Sequence, residues 1–191
     1  GKGKQLNHYF NAPPQLELLE SSIKPLISQA KVADFEKIIT EGKNISIRTR
    51  DADGKVIFVV KASIGDDSSA NGVSRIEFEE VIIGKSLNDL DQILLAAGLT
   101  YQAKWSRERE EYVGDNINIS IDKNAGYGYL AEFERVIDDA TTAEGVKAEL
   151  LAFMAELGVA ELPQDRLERM FAHYNEHWPE YYGTDKIFTI E

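Results

Sequence analysis

Charged residues spaced two apart inside segments of strand composition are the strongest constraint in this sequence. Arg48 and Arg50; Arg75, Glu77 and Glu79; Arg107 and Arg109; and Glu132 and Glu134 form such sets. Side chains at i and i+2 of a strand share a face. Each set therefore projects together, while Ile47, Ile76, Phe78 and Phe133 point the other way. A half-buried sheet turns polar groups to water without needing a particular mixture of signs. Basic and acidic sets recurring on successive strands instead fit a sheet curved around a charged interior. Such an interior suits a polyanion held by Arg and Lys, with a divalent cation held by Glu.

The remaining pattern is mostly strands with local connections. Gln5–Phe10 reads as a strand, and 15–39 as a helical stretch broken at Pro25. Two strands, 45–51 and 55–62, meet at Asp53-Gly54, a hairpin signal. A polar loop over 65–72 leads into a strand over 73–83. Ser86 caps a short helix that Gly98 stops. Strands follow over 100–112, 116–122 and 127–136. An amphipathic helix is expected from Thr141 or Thr142 to Leu157, and another from Pro163 to Trp178. The tail 186–190 has strand composition and could pair with an open sheet edge. Antiparallel strands with short connections favour a barrel or a strongly curved sheet, its apolar outer face covered by helices.

At 191 residues the chain suits one domain with a substantial core. No apolar run approaches the roughly 18–20 residues that span a bilayer, so no membrane role is expected. The net charge of −12 argues against a protein that coats nucleic acid. A local basic cluster can still outweigh it at short range. With no cysteine there is no disulfide framework or Cys-type zinc site. The start, Gly1-Lys2-Gly3-Lys4, is not a signal peptide. A cytoplasmic setting is the default expectation, with monomer and homodimer both open.

Arg48, Arg50, Lys61, Arg75, Arg107 and Arg109 make up the basic set. Guanidiniums bind phosphate oxygens in bidentate fashion, and a ligand with several negative charges would relieve their mutual repulsion. Cross-strand Arg–Glu pairing on an exposed face explains the same residues without a ligand. Glu77, Glu79, Glu132 and Glu134 offer oxygen donors of the kind Mg²⁺ and Mn²⁺ prefer. They are equally good salt-bridge partners for the arginines.

The ordered run Ile47-Arg48-Thr49-Arg50, Lys61, Arg75-Ile76-Glu77-Phe78-Glu79, Arg107-Glu108-Arg109-Glu110-Glu111-Tyr112, then Ile121-Asp122 through Gly128 to Glu132-Phe133-Glu134 resembles the CYTH superfamily. These triphosphate tunnel metalloenzymes include class IV adenylyl cyclases, thiamine triphosphatases and inorganic triphosphatases. The resemblance covers about 9–134. It implies an α+β fold, an antiparallel eight-stranded β-barrel (tunnel) with flanking helices, forming one CYTH-like domain over 1–191. Its barrel core would span about 5–138, with helices and tail over 139–191. By that resemblance Arg48, Arg50, Lys61, Arg75, Arg107 and Arg109 would hold a triphosphate. Glu77, Glu79, Glu132 and Glu134 would bind or support Mg²⁺ or Mn²⁺, with Glu132 and Glu134 catalytic. The implied activity is a metal-dependent phosphohydrolase acting on inorganic, thiamine or nucleoside triphosphate. The alternatives are a non-catalytic polyphosphate or nucleotide binder and an adenylyl cyclase. One departure stands out: the family's first strand, Glu-x-Glu-x-Lys, is absent, and Gln5–Phe10 resembles the strand that follows it.

Other features invite blander readings. His173 and His177 sit at i and i+4 on a helix but lack a third ligand. His8 reads as a packed strand residue rather than a base. Gly126-Tyr127-Gly128 precedes a strand and so is no nucleotide fingerprint. Tyr174, Trp178, Tyr181 and Tyr182 read as helix packing.

Overall fold

Asp53-Gly54 joins β2 (Lys43–Ala52) to β3 (Lys55–Ser63), and both turn residues take positive φ, 50° and 84°. That is the backbone a two-residue hairpin turn requires. In the computed structural model, which describes residues 1–13, 15–63, 75–114 and 116–190, this hairpin lies within a seven-stranded antiparallel sheet. The others are β1 (Lys2–Asn11), β4 (Arg75–Val81), β5 (Thr100–Val113), β6 (Asn118–Asn124) and β7 (Gly128–Glu134), in the order β4-β3-β2-β1-β5-β6-β7. The described residues form seven strands where the tunnel reading expects eight. The sheet does not close into a barrel, and β4 and β7 are its edges. The loop expected over 65–72 and the start of the strand expected from 73 lie outside the described residues.

Helices flank the sheet, and the first three cover one face. In chain order the helices are α1 (Glu17–Ile23), α2 (Val32–Glu41), α3 (Leu87–Ala96), α4 (Ala143–Glu156) and α5 (Gln164–Tyr181). Pro25 falls in a short 3₁₀ turn, Lys24–Leu26, that separates α1 from α2 as expected. Ser86 and Asp89 form a capping box at the start of α3. Leu19 and Ile23 of α1, Phe35 of α2, and Leu90 and Leu94 of α3 are fully buried against Phe10, Ile47, Phe58 and Phe78 of the sheet. Phe35 meets Phe58 and Phe78 with ring centroids 5.8 and 5.3 Å apart. Each such side chain contributes about 1.5–3 kcal/mol by leaving water. The apolar core therefore sits on the convex side, and the other face is free to be polar.

A polar network crosses that layer. Asp91 of α3 accepts from Thr49 Oγ1 at 2.6 Å and from the Tyr101 hydroxyl at 2.7 Å, and pairs with His8 Nδ1 at 2.6 Å. His8 Nε2 lies 2.8 Å from the Tyr182 hydroxyl just beyond α5. His8 is thus a packed strand residue. α5 crosses β5, with Phe171 and Tyr174 against Trp105 and Tyr174 donating to the Lys104 carbonyl at 2.9 Å. The tail does not pair with a sheet edge. It forms a parallel bridge, Ile187 to Gly126, beside the β6–β7 turn. α4 departs from the amphipathic expectation, since none of its residues is buried. Its links to β7 are Phe153 against Phe133 and the Arg135–Glu149 ion pair.

Two outcomes follow from these contacts. Burial alone would raise the Asp91 carboxyl, but hydrogen bonds from His8, Thr49 and Tyr101 outweigh it and leave the group below the usual carboxylate range. The stability this gives is full above the unfolded value of about 3.9 and is lost as pH falls through the folded one. Asp91→Asn should cost about 2–3 kcal/mol in urea unfolding at pH 7, and the deficit should shrink below about pH 4. Gly126 has φ 91°, and a Cβ there would lie 2.5 Å from the Tyr174 ring. Gly84 also has positive φ, 72°, but open space around it. Gly84→Ala should cost about 1–2 kcal/mol, and Gly126→Ala a further 1–3 kcal/mol for the clash.

Candidate functional site

All seven strands send alternate side chains to the concave face, where their charges meet. Arg109 of β5 makes a bidentate pair with Asp122 of β6, Nε to Oδ1 and Nη2 to Oδ2, each 2.7 Å. Arg107 Nη1 donates to the same carboxylate at 2.8 Å. Arg109 Nη2 also lies 3.5 Å from Glu132 Oε2 on β7. On the opposite wing Arg50 of β2 pairs with Glu79 of β4 at 2.9 Å. Glu77 is shared between Lys61 of β3 at 2.9 Å and Arg48 at 3.5 Å. β1 lies between the wings, and its Tyr9 hydroxyl accepts from Arg48 Nη1 at 2.7 Å.

The wings face each other. The Glu134 carboxyl on β7 is raised above the usual glutamate range, first by burial and then by the Glu132 charge, with Glu77 adding and Lys61 opposing. Glu77 and Lys61 belong to the far end of the strand order, so the sheet is curved enough to bring its edges within electrostatic reach. Burial and neighbouring guanidiniums lower the pKa of Arg50, beside Arg48, and of Arg107, beside Arg109. Those two are crowded cations, whereas Tyr9, Glu77 and Glu79 raise Arg48 against its burial and Asp122 raises Arg109. Arg48 Nε and Trp105 Nε1 are buried donors with no acceptor among the described residues. Both side chains flank Tyr9, with Arg48 5.5 Å over its ring and Trp105 5.6 Å from it. Buried donors normally have partners. A cleft of about 260 Å³ opens along β5, β6 and β7, lined by Arg109, Glu111, Ser120, Glu132 and Glu134 among others.

Of the residues singled out from the sequence, Arg48, Arg50, Lys61, Glu77, Glu79, Arg107, Arg109, Glu132 and Glu134 thus share one face. Arg75 pairs with Ser63 through the backbone of β4, but its side chain lies outside the described residues. Glu77 and Glu79 are engaged by cations, so the pairing reading of the sequence describes them in this state. Glu132 and Glu134 are not engaged in the same way, and among the described residues no three His, Asp or Glu groups converge on a common metal point. Two adjacent carboxylates, one of them held up in pKa by burial and by the other, still fit Mg²⁺ or Mn²⁺, which take one or two carboxylates and complete their shell from substrate and water.

Sequence reasoning gave no such role to the partners that orient the arginines, and named Asp122 only within the family pattern. Asp122, only 5% exposed, is the hub of the β5–β6 wing. Gln5 Oε1 accepts from Arg107 Nε and Nη2 at 2.9 and 2.7 Å, and Asn7 Oδ1 accepts from Arg50 Nε at 3.0 Å. Their alternation with Leu6 and His8 was visible, but uncharged residues gave no reason to place them among charges.

The family model for the CYTH domain matches residues 34–166. Solved structures share the fold at low identity. The PH1819 protein of Pyrococcus horikoshii OT3 superposes with a TM-score of 0.61 at 20% identity, over 88% of this chain and 85% of that one. The PH1012 protein of the same organism gives 0.59 at 13% identity, over 84% and 76%. A putative adenylate cyclase from Vibrio parahaemolyticus gives 0.57 at 15% identity, over 90% and 81%. A search of curated proteins gave no match. Among the described residues no helix is long and apolar enough to cross a membrane.

The paired carboxylates of β7 can be tested directly. In a carboxyl NMR titration Glu134 should have its midpoint above the ordinary glutamate value of about 4.3, and Glu132→Gln should move it down. An unmoved midpoint would mean that the two groups do not sense each other.

Proposed function

Because this chain belongs to the CYTH domain family, which includes triphosphatases and class IV adenylyl cyclases, we propose that it is a Mg²⁺- or Mn²⁺-dependent phosphohydrolase acting on a triphosphate held on its concave face. The observation that carries this reading is the crowding of Arg48, Arg50, Arg107 and Arg109. Arg50 and Arg107 are pressed toward the neutral form by burial first, and then by the neighbouring guanidiniums of Arg48 and Arg109 respectively. An anion with several charges joined at short spacing relieves that stress better than separate carboxylates can.

The chemistry is positioning plus charge neutralisation, so no covalent nucleophile is needed. Arg107 and Arg109, fixed by Asp122, present their remaining N–H groups as a rigid fork for phosphoryl oxygens. From the facing wing Arg48 adds its own guanidinium, and Lys61 adds a single ammonium charge. Glu132 and Glu134 would hold the metal ion, and when bound it would polarise phosphoryl oxygens and help to align a water. In its charged form Glu134 is a ligand, and in its protonated form it is not. Binding of the ion should therefore weaken as pH falls through a midpoint above the usual carboxylate range.

A second reading, binding of polyphosphate or a nucleotide without turnover, is favoured by one observation. Among the described residues no cluster of three metal-ligating groups forms. The two readings separate on one set of measurements. Purified protein with Mn²⁺ should release phosphate from tripolyphosphate, thiamine triphosphate or ATP. Glu132→Gln combined with Glu134→Gln should abolish that release with little change in Tm. Arg109→Ala should weaken tripolyphosphate binding by about tenfold to a hundredfold, the worth of one charge-assisted bidentate contact. Tight calorimetric binding with no phosphate released would select the binder. Absence of both would overturn the site.

A further inference from the structure

The middle strand of a basic face is uncharged where it matters most. Gln5 and Asn7 on β1 lie between the arginine strands β2 and β5. Each offers a carboxamide oxygen to the Nε edge of a buried guanidinium, Gln5 to Arg107 and Asn7 to Arg50. Arginine has donors only, so the amide oxygen, not its NH₂, must face it. Asn7 is 2% exposed, so its amide has little water to turn to. These contacts fix the direction of a guanidinium without cancelling any of its charge.

Carboxylates are already scarce here. Asp122 serves both Arg107 and Arg109, Glu77 serves both Lys61 and Arg48, and Glu79 serves Arg50. An Asp or Glu at position 5 or 7 would make the same hydrogen bond more strongly and would relieve the crowding internally. The protein would gain an ion pair and lose the positive field that faces a ligand. We infer that Gln5 and Asn7 are positioning residues that aim Arg107 and Arg50 without cancelling any charge beyond what Asp122 and Glu79 already answer, which keeps the remainder for the bound anion. This inference rests on the proposal that the face binds a triphosphate.

Asn7→Asp and Gln5→Glu test it, compared with Asn7→Leu on the full chain. Calorimetry with tripolyphosphate should show affinity reduced by about tenfold or more in each acidic variant, as expected of a new like charge at close range. The dependence of log Kd on log salt should flatten, and Tm should hold or rise. Asn7→Leu should also lose affinity, without that gain in Tm. A merely structural amide would predict the reverse for the acidic variants, with affinity following stability. Wild-type affinity and salt dependence in both acidic variants would overturn the inference. If the wild-type protein itself fails to bind tripolyphosphate, the functional reading fails instead. The aiming role is then decided by NMR of the Arg50 Nε–H. Slow exchange in wild type that is lost in Asn7→Leu supports it, and equal exchange in the two refutes it.

Discussion

Buried guanidiniums set the terms for the whole molecule. Four arginines and a lysine on neighbouring strands cannot face one cavity without counter-charge and fixed geometry, because removing a cation from water costs several kcal/mol unless partners replace the hydration. The sheet supplies those partners strand by strand. Asp122 grips Arg107 and Arg109, Glu79 takes Arg50, and Glu77 is divided between Lys61 and Arg48. A charged concave face contributes little hydrophobic stabilisation. The burden falls on the convex side, where Phe35, Phe58 and Phe78 interlock and α1, α2 and α3 are pinned to the sheet. Asp91 ties α3 to three strands and, through His8, to Tyr182. The same network that holds the layers together thus fixes the outer faces of β1 and β2, whose inner faces carry the site.

Much of this was legible in the residue order because strand periodicity is a hard geometric rule. Arg48 and Arg50 had to share a face, as did Glu132 and Glu134, whatever the fold. Hairpin chemistry at Asp53-Gly54 and the Ser86 cap depend only on local backbone requirements, and both formed. What was not legible depended on contacts distant in sequence. Asp122 became a hub through the β5–β6 register, which sets Arg109 opposite it. Gln5 and Asn7 acquired meaning because β1, first in the chain, is central in the sheet. The tail's composition left pairing with a sheet edge open, yet the Gly126 N–H donates to the Lys186 carbonyl and the Gly126 carbonyl accepts from the Phe188 N–H, which ties it beside the β6–β7 turn. α4 was read as amphipathic, but its packing against β7 leaves every residue at least partly exposed.

Low identity beside a shared fold has the same origin. Relatives that superpose with TM-scores of 0.57–0.61 match at only 13–20% of positions. The convex core asks only for apolar side chains at the right period, and many combinations satisfy that. The concave face asks for particular charges at particular registers, and its residues are the ones on which the sequence resembles the CYTH pattern.

Charge is also graded across the sheet. Both edge strands carry acidic doublets, Glu77 and Glu79 on β4 and Glu132 and Glu134 on β7. The arginines lie on β2 and β5, and the carboxamides lie on β1 between them. Curvature therefore brings acid toward acid at the seam and leaves basic groups at the floor. On β4 the doublet is answered by Lys61, Arg48 and Arg50. On β7 the balance is poorer: Arg109 reaches Glu132 only at 3.5 Å while bound closely to Asp122, and Glu134 is left with a raised pKa. An anion on the floor would draw on the arginine charge that now faces Glu79 and Asp122, and the carboxylates would then need another cation. On the proposed reading a polyanion and a divalent metal would satisfy this face together better than either would alone, because each would supply the counter-charge that the other displaces.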